Sequence, residues 1–449
     1  MKFTFTYVVL CGLFAFTAVA QDTKVLTLES AVQTALEKNQ SVIVAKNSID
    51  QAQSTTLNSF GSFLPSLEFN GSFGRDFTWS KASNLVTYQG VTFDQNQPYT
   101  QSNQFSAKLS SGVTLFNGFA NNYRYSGARS NESAASYGYS RTQQGTIYET
   151  YQLYLNVVRT FELMKVSEDN LKRSRGQLER ITESNKVGAV AIADVYRQKT
   201  LVGSDELSLI QAQSNYEKAK ADVLAFLAVP METEYQFDFT GIPSDIDTTE
   251  FATLNAQYTD KQSLVTKAFD THPDHLSNIA NLNSSESSVS AAKANYFPTV
   301  TGSASYGYSN QSFSSLLDTR GLSLGIGISL PIFNGFQTQT QIQQTQITQE
   351  NAEVNVHQSQ LKVTVDIRKA LLDLESFEKE VSSTQTSVQS AEMDRKIAEE
   401  KYNLGSGTIL DLQVATANYT QALSNKVNAV NDFLLAKKNV EYALGTIAR

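Results

Sequence analysis

Cysteine occurs once in 449 residues, at Cys11, so beyond that position neither a disulfide nor a thiolate metal site can stabilise the chain. Proline is scarce as well: there are seven, with none between Pro98 and Pro230 and none after Pro331. Between Gly335 and Gly405 there is neither glycine nor proline. Charged residues make up only 18%, and 36 basic against 44 acidic side chains leave a formal charge of −8, which excludes the basic surface that nucleic acid requires. Downstream of the first twenty residues no run of about eighteen apolar residues exists, so a transmembrane helix is excluded and any entry into a membrane would be as strands. What is abundant instead is uncharged polar surface, since Ser, Thr, Asn and Gln account for about a third of the chain. A single-core domain of this length would carry more charge and compact connections. The composition predicts a shape that is long, thin or water-lined.

The amino terminus has the form of a leader. Lys2 precedes the apolar run Val8 to Phe16, and Ala18-Val19-Ala20 supplies the small residues of a cleavage site before Gln21, so residues 1–20 are expected to be a signal peptide and the chain to be exported. A lipoprotein would need its cysteine after a small residue, whereas Cys11 follows Leu10 inside the apolar segment.

The remainder is written twice. Leu115-Phe116-Asn117-Gly118-Phe119 returns as Ile332-Phe333-Asn334-Gly335-Phe336, 217 residues later. At the same offset Gly188 meets Gly405, Asp194 meets Asp411 and Leu227 meets Leu444. Upstream, Ala35 maps to Ala268 and Pro65 to Pro298 at an offset of 233, so the first copy holds 16 extra residues. They lie around Lys81 to Gln101, a polar stretch that reads as a longer loop. The resulting division is 21–230 for the first repeat, 231–260 for a linker or equatorial segment, and 261–449 for the second repeat.

Within each repeat the hydrophobic period changes twice. Leu28, Ala31, Val32, Ala35 and Leu36, then Val42, Ala45, Ile49 and Ala52, recur at helical spacing, predicting one helix of about thirty residues to Gly61. After Pro65 the period drops to two. Leu67, Phe69, Gly71, Phe73, Phe77 and Trp79 alternate with polar residues, interrupted once by Arg75, and Phe105, Ala107, Leu109, Val113 and Leu115 return the pattern. This predicts a β-hairpin over about 66–116. A second, over about 298–333, alternates Val300, Ala304, Tyr306 and Tyr308, then Leu322, Leu324, Ile326, Ile328 and Leu330, against Ser, Thr and Gly. Strands of roughly ten residues with one apolar face suit a transmembrane barrel; a soluble half-buried sheet would alternate in the same way. Phe63, Phe116, Phe297 and Phe333 at the strand ends match an interfacial aromatic girdle.

Each copy then continues without a strong breaker into a long helix, a turn near Gly188 or Gly405, and a return helix of about forty residues. Seventy helical residues would span roughly 105 Å. In the first copy Gly127, Gly138, Gly145 and Gly176 are places where the helix is expected to bend or fray. Four strands cannot close a barrel in lipid, because an open edge leaves backbone groups unpaired. The expected fold is therefore an α+β membrane protein: a trimeric 12-stranded transmembrane β-barrel, four strands per chain, continued by a long α-helical periplasmic tunnel. Water on both sides of the tunnel wall explains narrow apolar stripes rich in Ala, Ser, Asn and Gln. The alternative is a trimeric surface or structural coiled-coil protein without transport activity.

The chain resembles the outer-membrane factors, the TolC-like outer membrane efflux protein family, over essentially all of the sequence after the leader. The resemblance is carried by Asn185-Lys186-Val187-Gly188-Ala189-Val190-Ala191-Ile192-Ala193-Asp194 and Tyr402-Asn403-Leu404-Gly405-Ser406-Gly407-Thr408-Ile409-Leu410-Asp411, which look like periplasmic tip turns, and by the FNGF pentapeptides and Tyr442-Ala443-Leu444-Gly445-Thr446. It implies a homotrimer in outer-membrane lipid with its tunnel in the periplasm. That duct would be the passive exit of a tripartite efflux or type I secretion system for small molecules or polypeptides. It further implies a periplasmic adaptor (membrane fusion) protein docking at Val187, Gly188, Ala189, Leu404, Gly405 and Ser406, and an inner-membrane transporter of RND, ABC or MFS type. By the same resemblance Asp194 and Tyr402 would close the gate and Asp411 would narrow the lumen, where three facing carboxylates would attract cations. Two departures stand out: Gly407 occupies a place that can hold a basic partner, and Val414 one that can hold a second acid. Read without the family, the tip glycines are helix C-caps and Asp411 is an acid favoured by a helix dipole.

No catalytic constellation, cofactor site or metal site is expected. The sequence has no Walker loop, G-x-S-x-G or H-E-x-x-H. His272 and His275 flank Asp274 without further ligands nearby in sequence, and Asp245-Ile246-Asp247 lacks a calcium-loop glycine. The basic run Lys172, Arg173, Arg175 and Arg180 reads as a solvated helix face.

Overall fold

The computed structural model describes residues 24–79, 85–94, 99–230, 235–247 and 249–447; the expected leader over 1–20 lies outside them. The first helical stretch is two helices rather than one, α1 (Leu28–Lys38) and α2 (Gln40–Gly61). The break is chemical. Asn39 leaves the helical region (φ −62°, ψ 132°), accepts from Ser41 N at 2.9 Å as the N-cap of α2, and donates from Nδ2 to Phe226 O at 3.1 Å, so one amide starts a helix and ties it to the end of another. A short strand β1 (Lys24–Leu26) precedes α1.

Two long strands follow, β2 (Ser66–Trp79) and β5 (Tyr99–Phe116). The inserted stretch between them is not simply a loop. Its described part is a hairpin of β3 (Leu85–Tyr88) and β4 (Val91–Asp94), turned by Gln89 and Gly90 with φ of 50° and 80°, the paired left-handed conformations of a two-residue hairpin turn. After β5 come α3 (Ala120–Lys186) and α4 (Ile192–Phe226), then β6 (Tyr235–Phe237) and α5 (Thr249–Gln257) within the segment expected as a linker. The second half runs α6 (Lys261–Thr271), α7 (Pro273–Lys293), β7 (Thr299–Asn310), β8 (Arg320–Ser329), α8 (Gln337–Asn403) and α9 (Ile409–Ala443). Helices α3 and α8 have 67 residues each, and α4 and α9 have 35 each; at 1.5 Å per residue the long pair spans about 100 Å. Among the described residues no helix is apolar enough to cross a membrane.

The four long strands form one antiparallel sheet in the order β2-β5-β7-β8. Its register puts Phe69, Leu109, Tyr306 and Leu322 in one cross-strand row and Leu67, Ser111, Ala304 and Leu324 in another. The opposite face carries Glu68, Ser110, Ser305 and Ser323, then Asn70, Lys108, Gly307 and Gly321. Among the described residues nothing covers much of the apolar face: Leu324, Ile326 and Ile328 are 75%, 76% and 74% exposed.

At the exit from β5 the pair Gly118-Phe119 takes left-handed φ of 64° and 66°, and Gly335-Phe336 repeats this with 64° at both. Placing a phenylalanine there costs about 1–2 kcal/mol. Phe119 and Phe336 pack edge-on against Phe116 and Phe333, each at 5.6 Å. The preceding asparagines donate forward, Asn117 to Asn121 Oδ1 and Asn334 to Thr338 Oγ1, both at 2.8 Å. Helix α3 then runs through all four of its glycines without interruption. Gly127 serves close packing, since a Cβ there would lie 3.3 Å from Ser287 Cβ on α7.

The helices bury narrow strips in separate clusters. Tyr154 of α3 is fully buried among Leu26, Val157, Val223 and Phe237, its hydroxyl 2.9 Å from Leu26 O and 2.6 Å from Asp238 O. Phe433 of α9 is fully buried with Val381, Val363 and Ile367 of α8 beneath Ile246 and Leu254. His272, the N-cap of α7, is buried against Gly445, whose added Cβ would meet its Cα at 3.1 Å.

Two predictions follow from this packing. At Gly118 an added Cβ would lie 2.7 Å from Ala294 O and 2.8 Å from Phe297 Cβ, so Gly118→Ala is expected to destabilise the fold by about 2–5 kcal/mol; an unchanged denaturation midpoint in detergent would contradict this. Burial first, then the Arg141 charge, lowers the His272 pKa to about 4 from 6.5, with Lys362 and His275 adding to this and Asp274 opposing it. The unfolded chain therefore takes up this proton first as pH falls. The contribution is complete above about pH 6.5 and is lost towards pH 4, at up to ~1.4 kcal/mol per unit. Denaturation curves across that window should show the slope in wild type and a smaller one in His272→Gln, because burial lowers the His275 pKa as well.

Candidate functional site

The candidate site is the end of the helical region where both turns lie. Helix α3 ends in a turn whose Gly188 has φ 77°, with Gly188 N donating to Asn185 O and Ala189 N to Ser184 O, both at 2.9 Å. Helix α8 ends alike: Gly405 has φ 71°, Gly405 N donates to Tyr402 O at 3.0 Å, and Ser406 N to Lys401 O at 2.9 Å. These nested bonds are a Schellman closure, which needs a left-handed residue and so favours glycine. The cap geometry also displays what lies beside it. Val187 and Leu404 are each 82% exposed, and Ala189 and Ser406 are exposed too.

The two turns are held together from behind. Ile181, Ala398, Ile409, Leu412 and Ala415 form a small buried cluster on which Val190, Val195 and Tyr402 pack. Between the turns lies a cavity of about 1240 Å³ lined by Asp194, Tyr402, Ala189, Leu404 and Gly405. Asp194 and Tyr402 thus share a cavity, but no hydrogen bond joins them. Asp194 Oδ1 accepts from Arg197 Nη1 at 3.1 Å, and the Tyr402 hydroxyl is buried without a partner. Burial, followed by the Asp194 charge, raises the Tyr402 pKa. Asp411 closes a capping box: Oδ2 accepts from Thr408 N at 3.1 Å and Thr408 Oγ1 at 2.7 Å, and Asp411 N donates to Thr408 Oγ1 at 3.2 Å. The Thr408 hydroxyl and amide hold its carboxyl below the usual range. Gly407 has a local reason to lack a side chain, since a Cβ would meet Lys401 Cβ at 3.0 Å and Tyr402 N at 3.3 Å.

Several polar residues here escaped the reading of the sequence. Arg197 stands one helical turn beyond Asp194, a spacing that could have signalled the ion pair. Arg180 of α3 reaches Glu399 of α8 at 3.1 Å, and buried Gln198 of α4 accepts from Gln413 of α9 at 3.1 Å. These links join residues more than two hundred positions apart, so no local pattern announces them. His275 Nδ1 lies 2.7 Å from Ser359 Oγ, and among the described residues no group of three or more His, Cys, Asp or Glu converges as a metal site.

The sequence matches the outer membrane efflux protein family over residues 31–229 and 264–446. It is 23% identical to the outer membrane protein TolC of Salmonella enteritidis over 362 residues, 77% of this chain and 70% of that one. The fold is similar to the outer membrane channel CmeC of Campylobacter jejuni, with a TM-score of 0.77 at 19% identity over 93% of this chain and 85% of that one. It is also similar to the outer membrane protein VceC of Vibrio cholerae, with a TM-score of 0.76 at 18% identity over 93% and 96%.

Because the Tyr402 hydroxyl is buried and unpaired, Tyr402→Phe is expected to leave stability unchanged or raise it by up to ~1 kcal/mol, removing a desolvated donor that gains nothing. A clear loss of stability on thermal denaturation would show that the hydroxyl has a partner in the assembled protein.

Proposed function

This chain belongs to the outer membrane efflux protein family, and from that premise we propose that three copies share one 12-stranded barrel, closed by pairing β8 of each copy with β2 of the next. It is an outer-membrane efflux channel whose helical tunnel lies in the periplasm; the family is one of channels, not of enzymes. The observation that carries the shared barrel is the sheet. One face is dominated by exposed apolar side chains, the other is mostly polar or glycine, and among the described residues β2 and β8 each have one unpaired edge. In lipid such edges must be paired. Within the chain, the second strand of the first hairpin lies beside the first strand of the second; continuing that rule puts β8 beside the next copy's β2. The two halves then act as repeats of one structural unit, 21–230 and 261–449, flanking the segment 231–260.

On this reading, the exposed turns Val187-Gly188-Ala189 and Leu404-Gly405-Ser406 receive a periplasmic adaptor that couples the duct to an inner-membrane transporter. Two apolar side chains at 82% exposure support such a docking role. Asp194 and Tyr402 form the gate, with Arg197 taking the Asp194 carboxylate in the closed arrangement, and Asp411 presents its second oxygen to the lumen. A cargo class is not implied, because the duct supplies passage and the transporter supplies selection.

The native mass of the detergent-extracted protein is expected to correspond to three chains, and a monomer would overturn the shared barrel. In planar bilayers Asp194→Ala is expected to raise conductance several-fold over wild type. Unchanged conductance in a protein that is still trimeric would remove Asp194 from the gate while leaving the duct intact.

A further inference from the structure

Among the described residues, ten buried side-chain polar atoms have no hydrogen-bond partner, and five of them belong to four residues that line one cavity between the two helical hairpins. The cavity has a volume of about 630 Å³. Four of the five are donors: Arg173 Nε and Nη2, Gln177 Nε2 and Arg395 Nε; the fifth is Asp205 Oδ2. The basic run expected as a solvated helix face is therefore half buried at Arg173.

The acidic side chains nearby do not answer these donors. Glu399 accepts from both Arg180 Nη2 at 3.1 Å and Arg395 Nη1 at 2.8 Å. Asp205 Oδ1 accepts from Asn170 Nδ2 at 2.9 Å. Arg173 and Arg395 both line the cavity and approach the same Tyr419 ring, with guanidinium carbons 5.6 and 5.4 Å from its centre, which places two cations close together. Burial, foremost, lowers the Arg173 pKa, and the charge of Arg395 adds to this, while Tyr419, Asp169 and Asp205 oppose it. A buried charged donor without an acceptor costs more than the 1–3 kcal/mol typical of a neutral one, and the guanidinium fork is shaped for planar oxyanions.

We propose that this cavity binds a small oxyanion, a phosphate or carboxylate group held between the Arg173 and Arg395 guanidiniums and the Gln177 amide. Arg173 and Gln177 belong to α3 and Arg395 to α8, so the ligand joins the two hairpins. The site lies about 22 Å from the Gly188 turn, the length of fifteen helical residues. In a duct that opens at its tip, the bound anion holds the hairpins in the closed arrangement; that consequence alone rests on the reading above, and the binding does not.

The test uses the full-length protein in detergent at neutral pH, melted in rising inorganic phosphate against sodium chloride at matched ionic strength, with acetate as a third series. A saturable rise in Tm beyond the chloride series is expected, with the apparent affinity weakened tenfold or more in Arg173→Gln and Arg395→Gln. Arg173→Lys keeps the charge but not the fork and should fall between them and wild type, which covers a glutamine variant that fails to fold. Asp205→Asn removes a negative charge from the cavity lining and should tighten binding several-fold. A rise with acetate as well as phosphate assigns the site to carboxylates too; a rise with phosphate alone restricts it to the dianion. Equal rises in phosphate and chloride, an unaltered phosphate response in Arg173→Gln, or abolition of the response by Asp205→Asn would each overturn the proposal, the last by assigning the donors to a water-bridged Arg173–Asp205 pair. The subunit count of the same samples is scored separately, so loss of anion binding and loss of the trimer are told apart.

Discussion

An antiparallel sheet of four strands leaves two rows of backbone N–H and C=O groups unpaired, and this chain places those rows on β2 and β8. Everything above and below the sheet is arranged around that incompleteness. The cross-strand rows that put Phe69, Leu109, Tyr306 and Leu322 on one face cannot be buried by the helices, which leave at the Gly118-Phe119 and Gly335-Phe336 turns. Hydrocarbon can cover that face, and further strands can pair those edges. The Ser, Gly and Asn face suits water. A monomer in solution satisfies neither demand.

The helical region meets a different constraint. A helix of 67 residues has far more surface than one chain can cover, and α3 and α8 accordingly bury scattered residues rather than a continuous stripe. Apolar burial is concentrated in a few clusters, around Tyr154, around Phe433 and around Ile181. Between them the contacts are made by Ala, Ser and Gln, with close approach at places such as Gly127. Sparse packing between buried clusters lowers the cost of local opening, which the proposed gate at one end would require.

At that end, structure and display coincide. The left-handed glycines at 188 and 405 are required by the closure of their helices, and the same turns leave Val187 and Leu404 outside any core. Capping therefore does not compete with docking as an account of these residues. The Asp411 capping box is similar: its carboxylate fixes the start of α9 through one oxygen, and the lumen role proposed for it would fall to the other. For Asp194 the neighbour on its own helix matters most, because Arg197 supplies a cation where Gly407 has no room for one.

What the sequence by itself determined was whatever depends on periodicity and on backbone-selective residues. Alternation of period two located the four strands and both their faces, the absence of breakers located the long helices, and the paired FNGF and tip glycines located the turns, because these signals act over a few consecutive residues. The break at Asn39 was invisible, since its cause is a carbonyl at Phe226 that only folding brings near. The hairpin at 85–94 was hidden in a polar stretch that reads as loop, its Gln89-Gly90 turn being a weak signal. The Asp194–Arg197 pair was within reach of the sequence, being three residues apart on one helix, whereas the unpaired Tyr402 hydroxyl and the orphaned guanidiniums of Arg173 and Arg395 were decided by tertiary structure alone. Hydrogen bonds and burial are set by distances in space, and α3, α4, α8 and α9 bring together side chains that the sequence keeps two hundred residues apart.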